Sequence, residues 1–508
     1  LAIVLLLCLS SVLAGLRMTS PYSHPNIDVE SIKALHTDVA EKSMKMNIDH
    51  FNANGASDTY DMRYLVNDKH YKTGGPIFFY AGNEGDVWTF YNNTGFMVNT
   101  LAEEFNALVV FAEHRYFGES LPFGKDSYES ENLKFLNVEQ TLTDYVEFVR
   151  AFRAENDQEL TPVIVFGGSY GGMLAAWLRM KFPETFQGAL AASAPIIYFK
   201  DAVPEDGFYK VIDKVYTDNH PDCSANIKKT AELLDSFTTQ PEKIGSLQKI
   251  FNTCQETKTA EDVETVIDFL YNAWIYMAMT NYPYPTEFLA PMPGNPVDES
   301  CKPFNFTAGK KSGIEHLLKT GEVDEDELQL LKAAAESIKI FYNFTGSLDC
   351  YDLEGNQTPN LDAFGWEILA CNEMCMPMGT DGIDNMFMPE PFSYEAHTAG
   401  CQESFNITPQ FDFTLTYFGG RNPTFDFATT SNIVFSNGDI DPWNAGSVTM
   451  DVSKDTVTIN IENSAHHLDL RDPNPADPQS VVEARDIERK EIKKWIDQFR
   501  EIADKLAK

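Results

Sequence analysis

Positive charge is scarce in this sequence: 39 Lys and Arg stand against 76 Asp and Glu in 508 residues, a formal net charge of −37. Such a surface repels phosphate backbones and anionic lipid, which argues against nucleic-acid and membrane partners. It repels itself less when carboxylates take up protons, so an acidic compartment is a compatible setting. Long apolar runs are also missing, and nothing beyond the first residues approaches the ~18 uninterrupted apolar residues of a transmembrane helix. The opening run, LAIVLLLCLSSVLAG, is short for a bilayer and ends in the small-residue cleavage pattern Val12-Leu13-Ala14. It reads as a secretory signal peptide over residues 1–14, incomplete at its start because no initiator Met or charged segment precedes it. Glycine (30) and proline (26) are not in excess, which excludes collagenous and low-complexity chains. Cysteine is absent from both ends of the processed chain. Once Cys8 leaves with the leader, the rest are Cys223, Cys254, Cys301, Cys350, Cys371, Cys375 and Cys401. That is an odd number, so at least one thiol is free or pairs with another chain. Five N-x-S/T sequons, at Asn92, Asn305, Asn343, Asn356 and Asn406, suit a glycosylated product of the secretory pathway.

Three short apolar runs, PIFFYA (76–81), ALVVFA (107–112) and PVIVFG (162–167), carry the mark of strands buried on both faces of a parallel sheet. Between the second and third, Leu142, Tyr145, Val146, Val149 and Phe152 recur at helical spacing. This alternation implies an α/β sheet covered by helices on both faces. It stops near residue 200 and returns near 430, with NIVFS (432–436), TVTINI (456–461) and a final helix over about 479–507. That helix should pack Ile487, Ile492, Trp495, Ile496, Phe499, Ile502 and Leu506 on the sheet and turn its charged residues to solvent. The expected division is therefore a first α/β part at 15–199, a mostly helical, cysteine-bearing cap insertion at 200–415, and a second α/β part at 416–508.

The chemistry is concentrated in VIVFGGSYGGM (163–173), a strand running through G-x-S-x-G into a helix. That context is required of a nucleophile elbow, in which Gly167 and Gly171 leave room for a tight turn presenting Ser169. A nucleophilic serine needs a base, and the base needs an acid that fixes its tautomer. The loop after TVTINI holds His466 and His467, and the loop after NIVFS holds Asp439 and Asp441. Spacing alone does not choose within either pair. As a metal site His-His lacks a third ligand at zinc-like spacing, and neither metal nor cofactor is called for. The N–H of Tyr170 and one from the loop Asn83-Glu84-Gly85 are the candidate oxyanion donors.

GGSYGG (167–172), GNEGD (82–86), FAEHRYFGESLPFG (111–124), SNGDIDPW (436–443) and AHHLDLR (465–471) together resemble the lysosomal Pro-X carboxypeptidase family, a close relative of dipeptidyl peptidase II. The likeness runs across almost the whole processed chain and is weakest in the cap. It implies an α/β-hydrolase sheet with a helical cap, Asp441 as the acid, His466 as the base, and His467 and Arg471 as groups supporting that pair. It implies an apolar proline pocket at Met173, Met376 and Trp443. It also implies the disulfides Cys223–Cys301, Cys254–Cys350 and Cys371–Cys401. The family pattern has eight cap cysteines; here Glu205-Asp206 stands where one is expected, and Cys375 is left over.

The resemblance thus implies a secreted or lysosomal serine exopeptidase acting on peptides with proline beside the scissile bond and releasing the C-terminal residue. Met376-Pro377-Met378-Gly379-Thr380-Asp381-Gly382 is closer to the carboxypeptidase version, and release of N-terminal X-Pro dipeptides is the alternative. A lipase or esterase on the same fold and a catalytically silent secreted binding protein are the rivals from other classes. A homodimer is an open option for the assembly.

Overall fold

The computed structural model describes residues 29–53, 58–305, 323–353 and 361–506. The leader expected at 1–14 and the sequon at Asn356 lie outside the described residues. Eight strands form one sheet: β1 (Ala40–Asn47), β2 (Thr59–Asn67), β3 (Ile77–Ala81), β4 (Leu108–Ala112), β5 (Val163–Gly168), β6 (Gly188–Ala192), β7 (Ile433–Gly438) and β8 (Thr456–Ile461). Their order is β1-β2-β4-β3-β5-β6-β7-β8. β1 and β2 pair antiparallel, β2 joins β4 antiparallel, and every pairing from β4 to β8 is parallel. This is the α/β-hydrolase arrangement.

Every residue of β3, β4 and β5 is buried, as their continuous apolar text requires. Alternation across the pleat divides them between two cores. Ile77, Phe79, Val163 and Val165 face one core, and Phe78, Tyr80, Ile164 and Phe166 the other. Helices α1 (Val87–Asn93), α2 (Val138–Glu155) and α3 (Tyr170–Lys181) follow β3, β4 and β5. α2 and α3 fill the first core, while α1 lies in the second.

The chain leaves the sheet after β6 and rejoins it at β7. Between them lie α4 (Gly207–Asn219), α5 (Pro221–Phe237), α6 (Ala260–Met279), α7 (Glu325–Tyr342), α8 (Leu361–Asn372) and α9 (Tyr394–Phe405), with shorter turns extending to Asp426. Capping boxes start two of these helices, Thr259 with Asp262 on α6 and Asp324 with Glu327 on α7. The insertion is stapled by Cys223–Cys301, Cys254–Cys350 and Cys371–Cys401, the pairs the resemblance implies. Cys375 is buried and unpaired. Where a fourth staple would sit, Glu205 is instead tied by its carbonyl to Gly379 N–H (3.1 Å) and by its carboxylate to the Tyr394 hydroxyl (3.4 Å). Asn92, Asn305 and Asn406 are exposed and Asn343 is half-buried.

The final helix, α10 (Gln479–Leu506), covers the second core, but its inner face is not the expected one. Ile492, Trp495 and Ile496 are buried, whereas Ile487 and Ile502 are exposed. The buried stripe continues instead through Val481, Ala484, Arg485 and Glu488, so two of its charged residues face inward rather than to solvent. Trp495 explains β6, a strand of small residues: a Cβ at Gly188 would lie 2.0 Å from its indole.

Candidate active site

The serine comes from a turn that only glycine permits. Ser169 follows β5 at φ 59° and ψ −129°, a positive-φ conformation that a side chain tolerates only under constraint. A Cβ at Gly167 would lie 2.0 Å from Gly171 O, and one at Gly171 would lie 2.8 Å from Ala81 O and 2.9 Å from Asn83 Oδ1. The turn is locked on both sides, Ser169 N–H donating to Ala192 O and its carbonyl accepting from Met173 N–H, each at 3.0 Å. Tyr170 opens α3, so its N–H has no acceptor within the helix, and the helix dipole adds positive character there. Its ring is fixed by His114: His114 Nδ1–H donates to Arg115 O (2.6 Å), leaving Nε2 to accept from the Tyr170 hydroxyl (3.1 Å). Burial pushes His114 down to about 4, which keeps the imidazole neutral for that role.

The loop after β3 packs against this turn. Its ends are held by Gly82 N–H on Ala112 O (3.1 Å) and by the Tyr145 hydroxyl on Gly82 O (2.5 Å). Gly85 N–H donates to Asn83 O (2.8 Å), which leaves the N–H groups of Asn83 and Glu84 as the loop's oxyanion candidates. Asp86 caps α1 through Trp88 N–H (2.9 Å) and pairs with Arg63 (2.5 Å), which also binds Glu113. Glu113 in turn accepts Val87 N–H (3.1 Å) and the Ser120 hydroxyl (2.8 Å). Burial pushes Glu113 up to about 7 against the pull of Arg63.

The histidine side is built from side chains. His466 Nδ1 donates to Asp441 Oδ2 at 2.8 Å, both groups buried, and Asp441 Oδ1 accepts Trp443 N–H at 3.1 Å. The Asp–His contact that spacing left open thus falls to Asp441 and His466. Asp439 is half-buried and His467 serves elsewhere. The His467 ring lies 4.4 Å from that of His466 and 5.3 Å from Phe288, and the His467 backbone N–H donates to the Ser193 hydroxyl (2.8 Å). Burial, then the neighbouring His466 and Arg471, hold His467 well below the ordinary histidine range, so it stays neutral. A Cβ at Gly168 would lie 3.0 Å from the His467 ring, which brings the histidine loop up against the serine turn.

Two residues of the insertion grip His466 itself. Its N–H donates to Met279 O (3.0 Å), and its carbonyl accepts the buried Tyr282 hydroxyl (3.0 Å). Arg471 lies over the Tyr282 ring (4.6 Å) and bonds Asn93 (3.1 Å). Met279 also accepts Trp443 Nε1–H at its sulfur (3.2 Å). Met173 and Met376 belong to one apolar cluster and Trp443 packs against it, its ring 4.9 Å from Phe208. The sequence reading missed Met279, Tyr282 and Ser193, which no local pattern marks. Arg485 and Glu488 had a signal, since both fall on the apolar stripe of α10.

No described helix is long and apolar enough to cross a membrane. Among the described residues, the cluster with metal-ligand character is Cys371, His397 and Cys401, and there the two cysteines are bridged to each other.

The profile of the family described as serine carboxypeptidase S28 matches residues 46–488. Lysosomal Pro-X carboxypeptidase of Mus musculus is 40% identical over 506 residues, covering 97% of this chain and 98% of that protein. The Homo sapiens protein of the same name is 38% identical, with 94% and 92% covered. Prolyl carboxy peptidase like protein 5 of Caenorhabditis elegans is 35% identical, with 86% of each chain covered. A serine at an α/β-hydrolase elbow, an Asp–His pair beside it and full-length likeness of this degree agree: the chain belongs to the serine carboxypeptidase S28 family and is a serine peptidase.

Proposed function

We propose that the protein is a lysosomal or extracellular exopeptidase that cleaves after proline and releases the C-terminal residue, with Ser169, His466 and Asp441 as its catalytic triad. His466 Nε2 takes the Ser169 proton as Oγ attacks the prolyl carbonyl, and Asp441 orients the imidazole and stabilises its charged form. The N–H groups of Tyr170 and of Asn83 or Glu84 stabilise the oxyanion. His466 then protonates the leaving amine, and water hydrolyses the acyl-enzyme. Proline suits an apolar pocket of Met173, Met376 and Trp443 because its rigid ring loses little entropy on binding. The helical insertion, taken as residues 200–415, is the cap that closes one end of the cleft.

The observation that carries this reading is the buried 2.8 Å hydrogen bond from His466 to Asp441, on a loop packed against the serine elbow. The test is a short peptide beginning Ala-Pro and ending Pro-Phe, incubated at acidic pH with the native protein and with Ser169→Ala, the products being weighed. Free Phe from the native protein alone is the expected result. Release of Ala-Pro instead moves the protein to dipeptidyl peptidase activity, and the absence of Ser169-dependent cleavage overturns the prolyl reading.

A further inference from the structure

Arg485 and Glu488, the two charged residues on the inner face of α10, divide their labour unevenly. Arg485 spends its donors on the loop after β8: Nε on Asp469 O (2.8 Å), Nη2 on Leu468 O and Arg471 O (3.0 Å each), and Nη1 on the Asp477 carboxylate (2.6 Å). Glu488 receives none of them. It has no exposure to solvent, and no donor reaches either of its carboxyl oxygens. A buried carboxylate without a donor is strongly disfavoured, so this group keeps its proton.

Glu488 meets a second buried acid. Its carboxyl faces that of Asp469, also buried, whose Oδ2 accepts the Ser436 hydroxyl from β7 at 2.6 Å. One proton serves the pair: Glu488 donates it and Asp469 accepts. Burial, and then the Asp469 charge, hold Glu488 well above the ordinary carboxyl range; burial also raises Asp469, against the hydrogen bonds from Ser436 and Glu488. The charged groups around the pair are otherwise committed. Arg485 is bound as described, and Arg489 bonds Glu104 and Asp486 at 2.6 and 2.5 Å. Asp477 is held by Arg485, Arg471 lies over Tyr282, and His467 is neutral.

Asp469 sits in the single turn Leu468–Leu470 directly after His466-His467, and Leu470 N–H closes back onto His467 O at 3.1 Å. We propose that Glu488 and Asp469 form a proton-sharing acid pair that positions the His466 loop against α10, and that loss of the shared proton as pH rises releases this hold. The inference rests on His466 as the base; Glu488 acts through the loop as a positioning residue. The folded-state pKa is the raised one, so the stabilisation is complete below the ordinary glutamate value of 4.5 and is lost as pH rises through the folded value.

Glu488→Gln supplies an N–H donor that does not titrate. The full-length native protein and the variant are compared by thermal unfolding, and by the rate at which a fluorophosphonate labels Ser169, between about pH 4.5 and 7. The expected result is near-equal Tm at the acid end and a variant more stable by several degrees at the neutral end. The labelling-rate ratio of variant to native should rise about fivefold or more as pH, carried above 7 where needed, passes through the folded value of Glu488. Asp469→Asn removes the anion that opposes ionisation of Glu488 and should give the same rising Tm difference, which keeps the test independent of one variant's folding. Tm differences that stay constant with pH in both variants, with a constant labelling ratio, overturn the proposal. Unfolding is read without substrate, so failure of the peptidase reading leaves this test intact.

Discussion

The serine turn and the histidine loop meet at one site but are held by different physics. The turn is held by backbone: two glycines with no space for a Cβ, a strand end and a helix start fix Ser169 at a positive φ with little help from side chains. The loop is held by side chains from four other elements, Ser193 after β6, Tyr282 beyond α6, Arg485 and Glu488 on α10, and Ser436 on β7. A turn of the first kind is specified by a few adjacent residues and fails all at once. A loop of the second kind is specified by residues hundreds of positions apart and weakens in steps.

This contrast can be broken by substitution. Gly167→Ala should leave no folded protein, because a Cβ 2.0 Å from a backbone oxygen has nowhere to go; recovery with a native unfolding profile would show the turn to be plastic. Asp441→Asn should fold with little change in Tm yet lower kcat by about 10⁴-fold, because His466 loses its oriented tautomer. Tyr282→Phe removes one buried hydrogen bond to the His466 carbonyl, worth about 1 kcal/mol, so kcat should fall about five- to tenfold with KM nearly unchanged. An equal rise in KM would instead place Tyr282 in substrate binding. Glu113→Gln tests the oxyanion-loop side: Glu113 is pushed up to about 7, so its contribution is full below 4.5 and declines as pH rises to about 7. The variant should therefore show a shallower fall in Tm over that interval; a parallel curve would refute the burial argument. Cys375→Ala should have the smallest effect, about 1 kcal/mol for a small buried group, measured by denaturant unfolding.

The same division explains what was legible. G-x-S-x-G with its strand and helix is readable because steric exclusion acts between neighbours in sequence, and the buried strands β3, β4 and β5 announce themselves by continuous apolar text. β1 escaped notice because it is an outer strand whose sequence, AEKSMKMN, is mostly exposed. β6, written GALAA, looks like nothing in particular until Trp495 is seen to need the space. The Asp–His contact could be narrowed to two pairs by position and was chosen by resemblance. Tyr282 and Met279 were invisible because a hydrogen bond to another loop's backbone leaves no pattern in the segment that makes it. Arg485 and Glu488 were read as solvated charges, although their place on the helical period of α10 marked them as buried.

The grip of Met279 and Tyr282 on both sides of His466 makes the insertion a structural support of the histidine loop and, under the function proposed above, a member of the reaction centre as well as its cover. On that proposal, a chimera that exchanged this insertion for another would inherit a new substrate cleft and, at the same stroke, an unsupported His466 loop. Within this architecture selectivity and turnover cannot be inherited separately unless the corner between α6 and Tyr282 travels with the sheet.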